Sequence, residues 1–450
     1  MTHITLPWGG ESLDLNLPDQ WKVSGYLEPA LQPGVADVSA EINHGLQYSI
    51  GSPRLDDLYR SLKTGGKPVK VVLVIDDGSR PTPVARILPT VLHVLLDAGL
   101  NKADLTLIPA LGLHRPMTGE ELARRSGLSD LDSWNWENPA CDDPARLAFL
   151  GTTSRGTPVW VNKTVVQADL VVSIGCIEPH LIASFGGGYK NLIPGVAGRA
   201  TIAHNHSLNC TLQTFNMTGQ PADGNPMRLD LEEAGRMLKP LVFIINAVLN
   251  SSAEVVRIVT GDPVQAHREG CRVSASMYGL EVSKPVDIVI ANSHPMDQDL
   301  RQGVKALGNS IRAVRPGGVM ITLVKANEGV GVFGLANQKL PFGQKTLKAL
   351  APVLIRLVPH LKLKGMGEED RFFLYSALNA MHRADLLMVA PTISLEVRSH
   401  LPFARFVDDI QSAVVQAQRR FPAQAEVLVF PYGGTTYPAF PNEHPASTGR

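Results

Sequence analysis

The strongest constraint on the fold is a set of largely apolar, strand-length runs, each of which empties into a polar, glycine-bearing cluster. Residues 69–75 end in Asp76-Asp77-Gly78-Ser79-Arg80-Pro81-Thr82-Pro83, and 104–109 run into Ala110-Leu111-Gly112-Leu113-His114-Arg115-Pro116. Residues 169–174 lead through Gly175 and Cys176 to His180, and 286–291 exit into Asn292-Ser293-His294-Pro295. A strand apolar on both sides must be covered on both faces, which a parallel sheet between helix layers provides. The periodicity after the first run predicts a helix over 83–98. In such sheets ligands bind beyond the carboxyl ends of the strands. Arg80, His114 and His180 are therefore expected at one edge.

The expected class is α/β, with two domains, each a largely parallel sheet flanked by helices, and the active site in the cleft between them. The boundaries expected are 1–275 for a catalytic domain, 276–435 for a closing domain and 436–450 for a loose tail. Residues 3–16 read as a hairpin turning at Gly9-Gly10. In the second domain a helix over 299–314 carries Arg301, Gln302 and Lys305, with Gln302 and Lys305 sharing a face at i, i+3.

Residues 178–210 leave little room for regular structure yet hold His180, Gly186-Gly187-Gly188, Lys190, His204 and His206. The glycines admit positive φ or a close approach to the backbone. A phosphate loop needs Gly-Lys-Ser/Thr, whereas Tyr189 precedes and Asn191 follows Lys190. Ser79 and Thr82 can offer hydroxyls to an anion, and Arg80 can grip a carboxylate with two N–H groups. If the segment is extended, His204 and His206 point to one side, and either could ligate a metal. A zinc site lacks a third ligand at a familiar spacing.

Composition narrows the partners. The 42 basic and 42 acidic side chains balance, so no global charge favours nucleic acid or an anionic membrane. The four cysteines are scattered, which fits a reduced cytoplasmic setting. The first residues show no leader pattern and no apolar run reaches ~18 residues, so neither secretion nor membrane insertion is expected.

Asp77-Gly78-Ser79-Arg80-Pro81-Thr82, Gly112-Leu113-His114, Glu178-Pro179-His180, Gly186-Gly187-Gly188-Tyr189-Lys190, Asn205-His206 and Gln302 to Lys305 together resemble, in order and spacing, the lactate racemase family of 2-hydroxyacid racemases and epimerases. The resemblance implies a nickel-pincer nucleotide, a nicotinic-acid-derived mononucleotide joined to Lys190 through a thioamide, with nickel ligated by His206. It implies His114 and His180 as paired acid–base catalysts. Arg80, Gln302 and Lys305 would be substrate contacts, and Asp77, Ser79, Thr82, Gly187 and Gly188 would lie beside the cofactor. The implied partners are a small 2-hydroxyacid and the enzymes that make and insert the cofactor. Leu181 and Ile182 suit a short aliphatic acid such as lactate, whereas an inward Arg301 would suit malate or a sugar acid. A nicotinamide-dependent dehydrogenase is the rival reading, and it lacks a G-x-G-x-x-G turn after any strand. A non-catalytic sensor of nucleotide or hydroxyacid is the third.

Overall fold

The computed structural model describes residues 2–63, 66–211, 213–214, 216–331, 333–337, 339–360 and 367–441. Its contacts divide the chain into two units, one of Leu31–Leu208 with Ala222–Met277, the other of residues up to Ala30, Asn209–Pro221 and the chain from Tyr278 onward. In chain order, β1 (Thr2–Trp8) and β2 (Glu11–Leu17) form an antiparallel hairpin turning at Gly9-Gly10, and β3 (Trp21–Tyr26) follows.

The first unit contains β4 (Val71–Asp76), β5 (Leu105–Ala110), β6 (Asn135–Trp136), an antiparallel pair β7 (Leu147–Thr152) and β8 (Pro158–Asn162), and β9 (Leu170–Cys176). A small hairpin of β10 (Pro179–His180) and β11 (Ser184–Phe185) follows, then β12 (Leu241–Leu249) and β13 (Val255–Gly261). The six-stranded sheet runs β13-β12-β9-β4-β5-β6, parallel except for the β12–β13 pair. Burial on both faces is explicit: Val71, Leu73 and Ile75 enter one apolar cluster, Val72 and Val74 the other. Each such side chain, fully buried, contributes roughly 1.5–3 kcal/mol. The chain moves from β4 outward through β5 and β6, then returns to place β9 on the other flank of β4. The strand order thus reverses between β4 and β9, where a doubly wound sheet opens a crevice.

The second unit adds β14 (Gly279–Glu281), β15 (Val286–Asn292), β16 (Val314–Leu323), β17 (Ala384–Val389), β18 (Arg405–Val407), β19 (Ala425–Phe430) and β20 (Tyr437–Ala439). Its parallel sheet runs β18-β17-β16-β15-β19-β3.

Three expectations change here. The first 30 residues do not join the segment 31–275, because β3 pairs in parallel with β19 and the β1–β2 hairpin packs Leu6, Leu15 and Leu17 onto Ile288, Ile321 and Val427. Of the expected tail 436–450, β20 pairs with β14 and Tyr437 is 1% exposed, while 442–450 lie outside the described residues. The expected helix 299–314 is two short helices, Leu300–Gly303 and Lys305–Ser310, interrupted at Val304. Gly303 lets this segment press against Val324, where a Cβ would collide.

Candidate active site

Three neighbouring strands, β5, β4 and β9, are in register at their carboxyl ends, Asp76 opposite Ala110 and Ile75 opposite Ile174. Their loops deliver His114, Arg80 and His180 to one sheet edge, as their positions in sequence require. Gly112, at φ +56°, turns the β5 loop, and its N–H donates to Gly195 O at 2.8 Å.

Side chains tie the loops together. His114 Nδ1 lies 2.6 Å from Asp77 Oδ2, while Asp77 Oδ1 accepts from the Ser79 N–H at 3.1 Å and hydroxyl at 2.6 Å. Burial pushes the Asp77 carboxyl up, but these bonds from His114 and Ser79 outweigh it and hold it below the usual range. Asp77 thus orients His114, and Ser79 in turn holds Asp77. Arg80 Nη1 donates to Glu178 Oε1 at 2.6 Å, joining the β4 loop to the β9 loop. Despite burial, the charges of Glu178 and Asp76 keep the guanidinium firmly protonated.

Thr82 lies deeper in the same loop. It is 1% exposed and gives its hydroxyl to Asp76 Oδ2 at 2.5 Å, which also accepts the Cys176 N–H at 3.1 Å. Its hydroxyl serves the crevice floor. Burial raises both the Asp76 carboxyl and the Cys176 thiol, which keeps this cysteine in its protonated form.

His180 sits in the β10–β11 hairpin, where its Nδ1 accepts N–H groups from Ile182 at 3.3 Å and Ala183 at 3.2 Å. Ile182 is buried and Leu181 half-buried. The glycine run that follows is crowded by the protein itself. A Cβ on Gly187 (φ +73°) would lie 2.7 Å from Asn246 Oδ1 and Ile177 Cγ1; one on Gly188 (φ +64°) would lie 3.0 Å from Pro263 O and His267 Cγ. Close packing of the chain accounts for both glycines, so clearance for a cofactor is not needed to explain them.

This run is clasped from beneath by residues invisible to motif reading. The buried Arg228 guanidinium donates to Gly187 O at 3.1 Å, to Ala183 O at 3.3 Å and to Phe185 O. His267 Nε2 donates to Gly186 O at 2.8 Å, and Asn246 Oδ1 accepts the Gly188 N–H at 2.8 Å. The available signal was a charge inside the helix Pro226–Arg236, since arginine is rarely buried without partners. Lys190 follows in a short 3-10 turn, Gly188–Asn191. Burial, then the positive charges of Arg80 and Arg228, lower its amine to about 7.

The segment carrying the two later histidines is a helix, Arg199–Ser207, and this separates them. His204 Nδ1 lies 2.8 Å from Thr157 Oγ1, which donates to the buried Asp230 at 2.7 Å. Asp230 also takes Thr153 at 2.5 Å and Asn205 at 2.8 Å, so His204 anchors the helix. His206, two residues on, donates from Nδ1 to Ile202 O at 2.8 Å, leaving the lone pair on Nε2. Burial, then the Lys190 charge, lower it to about 4. A neutral imidazole whose far nitrogen is fixed by a carbonyl is a prepared metal ligand. Among the described residues no group of three or more His, Cys, Asp or Glu side chains is arranged to hold an ion, as zinc would require.

Gln302 and Lys305 belong to the other unit, each half-buried on its own short helix; Arg301 places its guanidinium 5.7 Å from the Phe373 ring centroid. The four cysteines are free, and among the described residues no helix is long and apolar enough to cross a membrane.

Residues 8–218 match a family model described as the lactate racemase N-terminal domain. Over 335 residues the chain is 30% identical to the lactate racemase of Thermoanaerobacterium thermosaccharolyticum, covering 74% of this chain and 76% of that one. Over 437 residues it is 26% identical to the lactate racemase of Lactiplantibacillus plantarum, covering 96% and 99%. The solved lactate racemase apoprotein from T. thermosaccharolyticum superposes with a TM-score of 0.80 at 24% identity, over 97% of this chain and 100% of that one. A Thermotoga maritima protein of solved structure superposes at 0.62 and 18% identity, over 87% and 100%. At these identities the two superpositions speak for the fold.

Proposed function

The chain belongs to the lactate racemase family and is an isomerase of the racemase type, and from that premise we propose that it inverts C2 of a short 2-hydroxyacid such as lactate through a 2-ketoacid. The observation that carries this reading is the delivery of His114, Arg80 and His180 to one sheet edge by adjacent parallel strands.

Arg80 holds the substrate carboxylate through the N–H groups of its planar fork, with Glu178 fixing the plane from Nη1. His114, steadied by Asp77, accepts the hydroxyl proton as hydrogen leaves C2; His180 exchanges the proton on the opposite face of the planar ketoacid. Departure of the C2 hydrogen as hydride leaves a neutral ketone, which is why a proton on the hydroxyl, and not on carbon, is the one the histidines handle.

The donor set fits the group implied by the family. His206 offers a neutral Nε2 lone pair, and its imidazole feels the charge of Lys190, which itself titrates near neutrality and can serve as the attachment amine. Imidazole suits nickel. When bound, a lysine-tethered nickel-pincer nucleotide supplies the acceptor and donor of the C2 hydrogen. The enzymes that build and insert it are the implied protein partners, and the cytoplasm the implied compartment. Gln302 and Lys305 are assigned to the substrate by the sequence resemblance alone; Gln302→Ala and Lys305→Ala should raise KM. Lactate is preferred over a dicarboxylate because Arg301 is engaged with Phe373.

In protein co-expressed with those enzymes, intact mass should show an adduct at Lys190 and metal analysis should show nickel. His114→Ala and His180→Ala should each abolish interconversion of the lactate enantiomers while nickel is retained. Full activity in either variant removes that residue from the reaction.

A further inference from the structure

We propose that the two catalytic histidines rest in opposite tautomers, His114 with its proton on Nδ1 and its lone pair on Nε2, and His180 with its lone pair on Nδ1 and its proton on Nε2. The assignment follows from what faces each ring. Asp77 Oδ2 stands 2.6 Å from His114 Nδ1, and a carboxylate can only accept, so Nδ1 must donate. The other carboxylate oxygen is already committed to the N–H and hydroxyl of Ser79. Around His180 the sign is reversed. The tight β10–β11 turn, with Ser184 at φ +63°, folds two backbone N–H groups onto Nδ1, from Ile182 and Ala183. Backbone amides can only donate, so Nδ1 must hold the lone pair.

On the racemase reading, on which this consequence rests, His114 begins as the proton acceptor and His180 as the donor. For His180 to accept at Nε2, its own proton must move to Nδ1 and displace both amide hydrogen bonds. Asp77 is thus a positioning residue for one half of the pair, and the 182–183 amides for the other. Mirror-image acids have equal free energy, so kcat/KM must be the same in both directions and cannot report this difference. The resting chain can.

The test is the two-bond proton–nitrogen correlation spectrum of the apo chain labelled with nitrogen-15 in its histidine rings, at a pH above imidazole titration. His114→Gln and His180→Gln identify the two rings among the 13 histidines. The expected result is the Nδ1–H pattern for His114 and the Nε2–H pattern for His180. In Asp77→Asn, Ser79 keeps the amide oxygen, the NH2 faces the imidazole, and His114 alone should switch to Nε2–H. Equal tautomers in the wild-type chain, or His114 unmoved by Asp77→Asn, overturn the proposal. A cofactor-loaded enzyme that fails to interconvert lactate while its tautomers are as stated would sink the racemase reading and leave this one standing.

Discussion

The two large sheets of this molecule have the same logic and opposite contents. Each is wound from an inner strand outward and then resumed on that strand's other flank, so each has a point of reversed order, β4/β9 in one and β15/β19 in the other. At the first, the strand ends carry Asp76, Asp77, Arg80, Cys176 and Glu178, with His114 and His180 beside them. At the second, the chain's own hairpin and the β19 loop take up the ends of β15 and β16. Asn292, the last residue of β15, donates to Pro7 O at 2.5 Å, and Lys325, just past β16, donates to Trp8 O at 3.1 Å and Glu11 at 2.9 Å. The β1–β2 hairpin is held over the carboxyl ends, and Gly433 brings the β19 loop so near that a Cβ would lie 2.9 Å from Asn292 O. Topology offers a place for chemistry twice; which place is used depends on the residues that end the strands.

The sharpest way to break this contrast is to change one atom at the first edge. Asp77→Asn preserves shape but presents N–H groups to His114, removing the lone pair from Nε2. By analogy with aspartate-to-asparagine changes that put a catalytic imidazole in the wrong tautomer, kcat of the cofactor-loaded enzyme should fall by ~10³–10⁴. KM should change little. A loss below about tenfold, measured with folding verified, would mean the Asp77–His114 pair is only a structural tie.

The next effect lies beneath the same edge. Arg228→Met strips the charged donors from the buried carbonyls of Ala183, Phe185 and Gly187, leaving Ala183 O only the Phe185 N–H and Gly187 O only the Lys190 N–H, and should cost roughly 1.5–3 kcal/mol in denaturant unfolding. Removal of a positive charge should also raise the Lys190 amine above about 7. The rate at which an amine-selective reagent labels Lys190 across pH reads that shift; an unmoved profile would show that Arg228 acts through packing alone.

His267 offers a pH test. Its ring is buried between Gly186 O and the Arg268 guanidinium, and burial, then Arg228 and Arg268, push it well below 6.5. The unfolded chain takes up a proton as pH falls through that value while the folded chain does not. Stability is therefore full above about pH 6.5 and declines below it, by about 1.4 kcal/mol per pH unit from this group. His267→Gln should flatten the acid limb by that slope; an unchanged slope assigns the acid lability to other groups.

What was legible in the sequence follows the same division. Of the first sheet, β4, β5 and β9 are readable because they are largely apolar, and their order along the chain suffices to bring Arg80, His114 and His180 to one edge, whereas β6 and β13 carry no such signal. The helix Arg199–Ser207 was not readable either. Gly198 gives it no side-chain cap, and Thr201, Ile202 and two histidines are weak helix formers. Contacts distant in sequence hold it: Thr201 on Pro158 O, and Asn205 on Met227 O and Asp230. Reading it as extended hid the separation of His204 from His206. The clasp of Arg228, Asn246 and His267 was equally hidden, since nothing in the spacing of three residues spread over forty positions joins them until the sheet is built. The hairpin was recognised, but not its sheet, because β3 finds β19 some four hundred residues away.

The smallest expected effect belongs to the second edge. Lys325 is largely buried, but its partners are carbonyls of an exposed turn and a Glu11 carboxylate that is 74% exposed, so water can replace what the ammonium gives them. Lys325→Met keeps the stem that packs against Gly9 and loses only the charge. The cost should be about 1 kcal/mol, seen as a drop of a few degrees in Tm, with kcat of the loaded enzyme within about twofold of wild type. A tenfold loss of kcat with Tm unchanged would place the second strand edge in the chemistry, and the two sheets would no longer differ in the way that their strand ends indicate.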